Sequence, residues 1–301
     1  MRTTLAPPPQ PTIGVFDSGF GGLTVLRALL QLLPNANYIY LGDTARLPYG
    51  SKSRETIARY AVSSARFLQD HGAELLVVAC NTATALALDD IKQALSIPVI
   101  GVVEPGAQAA LVTKNNVVIL SEAKNPRILL AKPPASNGPQ VLVLATAATV
   151  QSHAYTQALK TLNLEAHEKA CPLLVPLVEE GWINHPVTDE VLKIYLNEAL
   201  NEAPNTQTLL LGCTHYPLIE PAIHRTLATL NHPLNIIDSA QATAQAVVTH
   251  LNQAPAASQN STPPAQNCRF YATDSIEKFE RLGSSFLGQP VTGVRLVDLG
   301  G

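Results

Sequence analysis

The sequence predicts an α/β fold of two similar halves built from parallel βαβ units, and three observations carry that prediction. Apolar, β-branched runs alternate with stretches of helical periodicity. The runs are almost continuously apolar, as strands buried on both faces require. Two pairs of segments also correspond: LLVVACNTAT (75–84) with TLLLGCTHYP (208–217), and IGVFDSGFGG (13–22) with VLVLATAATV (141–150). The correspondence implies two pseudo-two-fold related domains facing each other. Ligands of such sheets bind beyond the carboxyl ends of the strands.

In chain order, a strand at Thr12–Phe16 leads into Asp17-Ser18-Gly19-Phe20-Gly21-Gly22 and a helix at Leu23–Leu33. Tyr38–Leu41 is a second strand, running into Gly42-Asp43-Thr44. Leu75–Ala79 is a third, ending in Cys80-Asn81-Thr82 before an Ala/Leu-rich helix through Leu95, and Pro98–Val103 is a fourth. Val141–Ala145 and Thr208–Leu211 repeat the scheme, the latter ending in Gly212-Cys213-Thr214-His215. Residues 1–11 read as a flexible tail, the Pro-bearing stretch 113–140 as an insertion, and the Ala/Pro/Ser/Gln/Asn-rich stretch 253–266 as a linker-like loop.

Composition narrows the function. With 46% hydrophobic residues the 301-residue chain can bury a large core. A net charge of −3, no basic run and only 5% aromatic residues argue against nucleic-acid or membrane-surface partners and point to a small molecule. The start of the chain lacks an apolar leader and no window reaches the ~18 apolar residues of a membrane span, so a cytoplasmic protein is expected. Four scattered cysteines in a chain of this length are not a disulfide framework.

Two of those cysteines stand at strand tips. Backbone N–H groups and a helix dipole there are expected to lower a thiol pKa from about 8.5 toward neutrality. A lone buried cysteine is more often a small hydrophobe, but Cys80 and Cys213 hold matching places in two matching segments, which favours chemistry. Cys171 and Cys268 lack such settings and read as packing. Asp17 and Ser18 either cap a helix or point polar groups into a crevice that the adjacent glycines leave open. The glycine spacing is not that of a P-loop or a dinucleotide fingerprint, which excludes nucleotide binding. Pro48-Tyr49-Gly50 taken alone is a tight turn. Asn81, Thr82, Thr214 and His215 could cap helices or hold a carboxylate and an ammonium group, and His215 is spaced to poise Cys213. Cys-x-His supplies only two ligands at an unusual spacing, so a metal is not expected. Glu179 and Glu180 alone read as a solvated helix start.

Together these residues give the chain a specific resemblance. Asp17-Ser18-Gly19-x-Gly21-Gly22, Gly42-Asp43-Thr44, Pro48-Tyr49-Gly50, Cys80-Asn81-Thr82-Ala83-Thr84, Glu104-Pro105-Gly106 and Gly212-Cys213-Thr214-His215-Tyr216-Pro217 resemble the aspartate/glutamate racemase family over about Thr12–Ser239. The resemblance implies two α/β domains, one from 1–103 plus 240–301 and one from 104–239, with the active site in the cleft between them. It implies cofactor-independent racemisation of glutamate by two cysteines, Cys80 acting on the D- and Cys213 on the L-enantiomer. Asp17, Ser18, Tyr49, Gly50, Asn81, Thr82, Thr214 and His215 would line the substrate site, with Glu179 assisting, and D-glutamate would supply peptidoglycan. His215 after Cys213-Thr214 favours glutamate over aspartate. No Lys lies in these motifs to form a pyridoxal Schiff base. Family members are often homodimers, and no interface is legible in the chain. Two other readings remain at this point: another reaction on the same scaffold, for which decarboxylase relatives keep one cysteine, and a non-catalytic amino-acid-binding protein, which needs no pair of thiols.

Overall fold

The computed structural model describes residues 11–112, 140–252 and 265–300. Nearly all of the tail, the insertion and the linker-like loop therefore lies outside the described residues. The first half runs β1 (Thr12–Asp17), α1 (Leu23–Leu32), β2 (Asn37–Gly42), short 3-10 turns at Thr44–Arg46 and Tyr49–Ser51, α2 (Arg54–Asp70), β3 (Leu75–Val78), α3 (Asn81–Ala94) and β4 (Val99–Gly101). A further helix, α4, occupies 103–112. The strand expected over Pro98–Val103 is thus only three residues long, and Glu104-Pro105-Gly106 lies in a helix. Proline is accommodated there because the first helical turn has no intrahelical partner for its missing N–H.

The second half repeats the order: β5 (Val141–Ala145), α5 (Ala147–Ser152), α6 (Ala154–Thr161), β6 (Ala166–Ala170), α7 (Leu174–Glu179), α8 (Pro186–Glu202), β7 (Thr208–Gly212), a 3-10 turn at Tyr216–Ile219, α9 (Glu220–Thr229) and β8 (Asn235–Asp238). Then α10 (Ser239–His250), β9 (Cys268–Ala272), α11 (Ile276–Leu287) and β10 (Arg295–Leu296) complete the chain. Every strand pair among the described residues is parallel. The first sheet has the order β10-β9-β2-β1-β3-β4 and the second β6-β5-β7-β8. Without its C-terminal additions the first sheet reads β2-β1-β3-β4, the same arrangement as the second.

Register makes the repeat residue-specific. Phe16 pairs with Val78, and Leu144 with Leu211. Counting on from these pairs, Cys80 corresponds to Cys213, Asn81 to Thr214, Thr82 to His215, Ser18 to Thr146 and Gly21 to Thr149. The central strands are apolar and fully buried, and one apolar cluster runs from Ile13 and Leu26 through Val247 to Leu209, joining the halves through α1 and α10. Burial of that apolar surface, worth about 25 cal/mol per Å², stabilises the packing between the halves. No helix among the described residues is long and apolar enough to cross a membrane.

Candidate active site

Beyond the carboxyl ends of β1, β3 and β7 the chain turns sharply, and the turns carry the polar residues. Cys80 is the N-cap of α3, where its Sγ accepts from the Ala83 N–H at 3.5 Å and lies 3.4 Å from Ser18 Oγ. Asp17 ends β1 and accepts the Gly19 N–H at 2.9 Å. Tyr40 donates to the Gly19 carbonyl at 3.0 Å, which fixes the 17–22 turn against β2. Across the cleft, Thr24 donates to the Thr214 carbonyl at 3.2 Å.

His215 joins two groups of the second half. Its Nδ1 lies 3.9 Å from Cys213 Sγ and its Nε2 3.2 Å from Glu179 Oε1. The side chain caps no helix and lies beside Cys213. Glu179 is the acid that meets the imidazole; its second oxygen lies 3.8 Å from Lys278 Nζ. Cys80, Cys213, Asp17, Asn81, Thr82, Thr214 and His215 are all buried.

The two thiols have unlike neighbours, Ser18 beside Cys80 and His215 beside Cys213. Burial first, then the Asp17 carboxylate, push the Cys80 thiol up to about 12, against the opposing hydrogen bonds of Ser18 and Ala83. This overturns the lowered pKa expected at a strand tip: for Cys80, desolvation and a neighbouring anion outweigh the backbone N–H groups. Burial pulls the His215 pKa down, but its hydrogen bonds and charge interactions with Cys213 and Glu179 prevail and hold it at about 10. Glu179 is raised by burial and lowered more by His215 and Lys278, so it falls below the usual carboxylate range. Asp17 is raised, chiefly by burial.

The remaining predicted residues divide. Thr82 Oγ1 forms a triangle with Thr146 and Thr149 of the second half, at 3.0 and 3.2 Å. Gly50 faces Thr146, where a Cβ would stand 3.3 Å from the threonine Cβ. The Tyr49 hydroxyl is committed to Asp43 Oδ2 at 2.5 Å, so it braces the turn beneath the site. Tyr155 was not singled out by the sequence; it donates to Asn81 Oδ1 at 2.6 Å from the opposite half. Its only signal is an aromatic with a polar tip in an otherwise ordinary amphipathic helix. Asp17 Oδ1 and Asn81 Nδ2 are two of the six buried side-chain atoms among the described residues with no hydrogen-bond partner. Such atoms cost about 1–3 kcal/mol each unless a ligand satisfies them. No group of three or more His, Cys, Asp or Glu is placed to hold a metal ion among the described residues. A groove of about 1480 Å³ lies elsewhere, between α3, α4, α6 and α10, and contains none of these residues.

A family model described as Asp/Glu/Hydantoin racemase matches residues 13–130 and 127–247. A glutamate racemase of Koribacter versatilis (strain Ellin345) is 48% identical over 312 residues, covering 97% of this chain and 99% of its own. Among solved structures, the glutamate racemase of Francisella tularensis subsp. tularensis SCHU S4 in complex with D-glutamate is 34% identical with a TM-score of 0.76, covering 96% and 98%. The glutamate racemase of Thermus thermophilus in complex with beta-chloro-D-alanine is 38% identical with a TM-score of 0.75, covering the same shares.

Proposed function

The chain belongs to the Asp/Glu/hydantoin racemase family, and on that premise we propose that it interconverts L- and D-glutamate by passing protons through two thiols, Cys80 and Cys213, on opposite faces of the α-carbon. The observation that carries this reading is the equivalence of the two cysteines at the ends of β3 and β7, in sheets of one strand order.

One thiolate removes the α-proton while the opposite thiol returns one to the other face. The two sulfurs must therefore differ in protonation at every moment. Their surroundings support that difference: Cys80 sits by an anion and is held as the thiol, whereas Cys213 sits by the His215–Glu179 pair. The imidazole beside Cys213 supports its role as the base toward L-glutamate, with Cys80 as the acid. Asp17 Oδ1 is free to take the substrate ammonium and Asn81 Nδ2 a carboxylate oxygen. Thr82 and Thr214 add hydroxyls fixed in a dry cleft, where donors act most strongly on developing charge. Tyr155 orients Asn81, and no group outside the chain is needed for the proton transfers. The product D-glutamate would supply peptidoglycan, with the reaction in the cytoplasm.

The test is the circular dichroism of D-glutamate and, separately, of L-glutamate on addition of purified protein with no added cofactor. Both signals should decay to zero; a stable signal from either enantiomer overturns the proposal.

A further inference from the structure

The charge that completes the chain behind Cys213 comes from the other half of the molecule. Glu179 offers Oε1 to His215 Nε2 at 3.2 Å and Oε2 to Lys278 Nζ at 3.8 Å. Glu179 and His215 belong to the second half, but Lys278 lies in α11, which packs on α1. Its neighbour Phe279 is fully buried against Phe20 and Tyr40, with ring centroids 5.7 and 5.9 Å away. The Lys278 ammonium also stands over the Phe20 ring, 5.5 Å from its centroid. Phe20 is part of the 17–22 turn that carries Asp17 and Ser18. Lys278 therefore touches both walls of the cleft at once.

We propose that Lys278 is a positioning residue, which bridges from the first half to Glu179, keeps that carboxylate turned toward His215 and so ties the state of the Cys213 side to the apposition of the two halves. The inference rests on the two-thiol racemase reading. The charged groups that bear on Glu179 are His215 from the turn after β7, Lys278 from α11 and, at longer range, Asp17 at the end of β1; Cys213 lies behind His215. Lys278 is the only cation among these apart from the imidazole, so its removal should let Glu179 protonate at higher pH. Its side chain is 46% exposed, so the effect is that of a screened ion pair.

The experiment is a ¹³C NMR pH titration of glutamate-labelled protein without substrate, comparing native, Lys278→Met and Lys278→Arg forms. Lys278→Met should raise the Glu179 titration by about 0.2 to 0.7 of a pH unit, and Lys278→Arg should restore it. In kinetics, Lys278→Met should lower kcat/KM about two- to fivefold, with the acid limb moving upward by the same interval. The substitution should have no further effect in a Glu179→Gln background. An unmoved Glu179 titration overturns the inference. So does an equal loss in the Met and Arg variants with an unshifted acid limb, which would mark simple helix packing. A native protein that leaves glutamate unracemised but shows the expected titration shift would instead overturn the racemase reading and support the charge coupling.

Discussion

Gly21 and His215 share one volume: a Cβ on Gly21 would stand 2.6 Å from His215 Nδ1 and closer still to Thr214 Oγ1. At the corresponding place in the second half stands Thr149, whose hydroxyl contacts Thr82, the counterpart of His215. A side chain is present where its partner is small and absent where its partner is an imidazole. Gly21→Ala should therefore displace the ring from Cys213. We expect kcat/KM to fall more than tenfold, with about 1–3 kcal/mol of lost stability from overpacking. Activity within twofold of native, measured polarimetrically, would show that the ring does not need its observed position.

Each thiol should be indispensable. Cys80→Ser and Cys213→Ser should each lower racemisation at least about 100-fold, as loss of a proton-transfer group does. Because the enantiomers are isoenergetic in water, kcat/KM must fall by one factor in both directions. Proton NMR in heavy water separates the roles. Cys80→Ser should wash the α-proton out of L-glutamate faster than out of D-glutamate, and Cys213→Ser the reverse. A variant that racemises within tenfold of native sinks the two-thiol scheme.

His215 should make stability fall with pH. Its folded pKa of about 10 lies above its unfolded value of 6.5. The stabilisation is therefore complete below pH 6.5 and is lost as pH rises toward 10, by on the order of 1 kcal/mol per pH unit. Urea midpoints of the native protein should decline over this interval more steeply than those of His215→Gln. Parallel curves would mean that the imidazole is not charged in the folded state.

Asp238 gives an opposite design. It caps α10 by accepting the Ala240 N–H at 2.8 Å, yet burial raises its carboxyl to about 6. Above that pH the folded protein holds a charge that the unfolded chain carries more easily. Asp238→Asn retains the cap and should stabilise the protein at pH 8 by on the order of 1 kcal/mol, with little gain at pH 4. Thermal unfolding at the two pH values checks it, and a loss at pH 8 contradicts it.

The fold was legible because its signals are local. Thr12–Asp17 and Val141–Ala145 are apolar runs bounded by turn residues, and their order forces parallel pairing. The matching of 75–84 with 208–217 also survives residue by residue in the strand registers. In the candidate site, the sequence singles out the residues next to the strand ends, Cys80, Cys213 and His215, and their apposition follows from the strand positions. The site was not legible where the partner is distant in sequence. Lys278 meets Glu179, and Tyr155 meets Asn81, only once the sheets face each other. Nor could strand-tip reasoning foresee the Cys80 pKa, because it counts nearby N–H groups and not the water removed when the halves close.

The shared strand order has a consequence for symmetry. Two enantiomers differ by a reflection at one carbon, and a catalyst serving both needs like groups on opposite sides of it. Two halves of one strand order place one sulfur on each side. Two identical halves would put both sulfurs in the same surroundings. Within this single chain the halves differ, so that glycine and imidazole stand on one side where two threonines stand on the other. The chain keeps the symmetry that the proposed two-thiol reaction needs in space, while the neighbours of the two sulfurs differ.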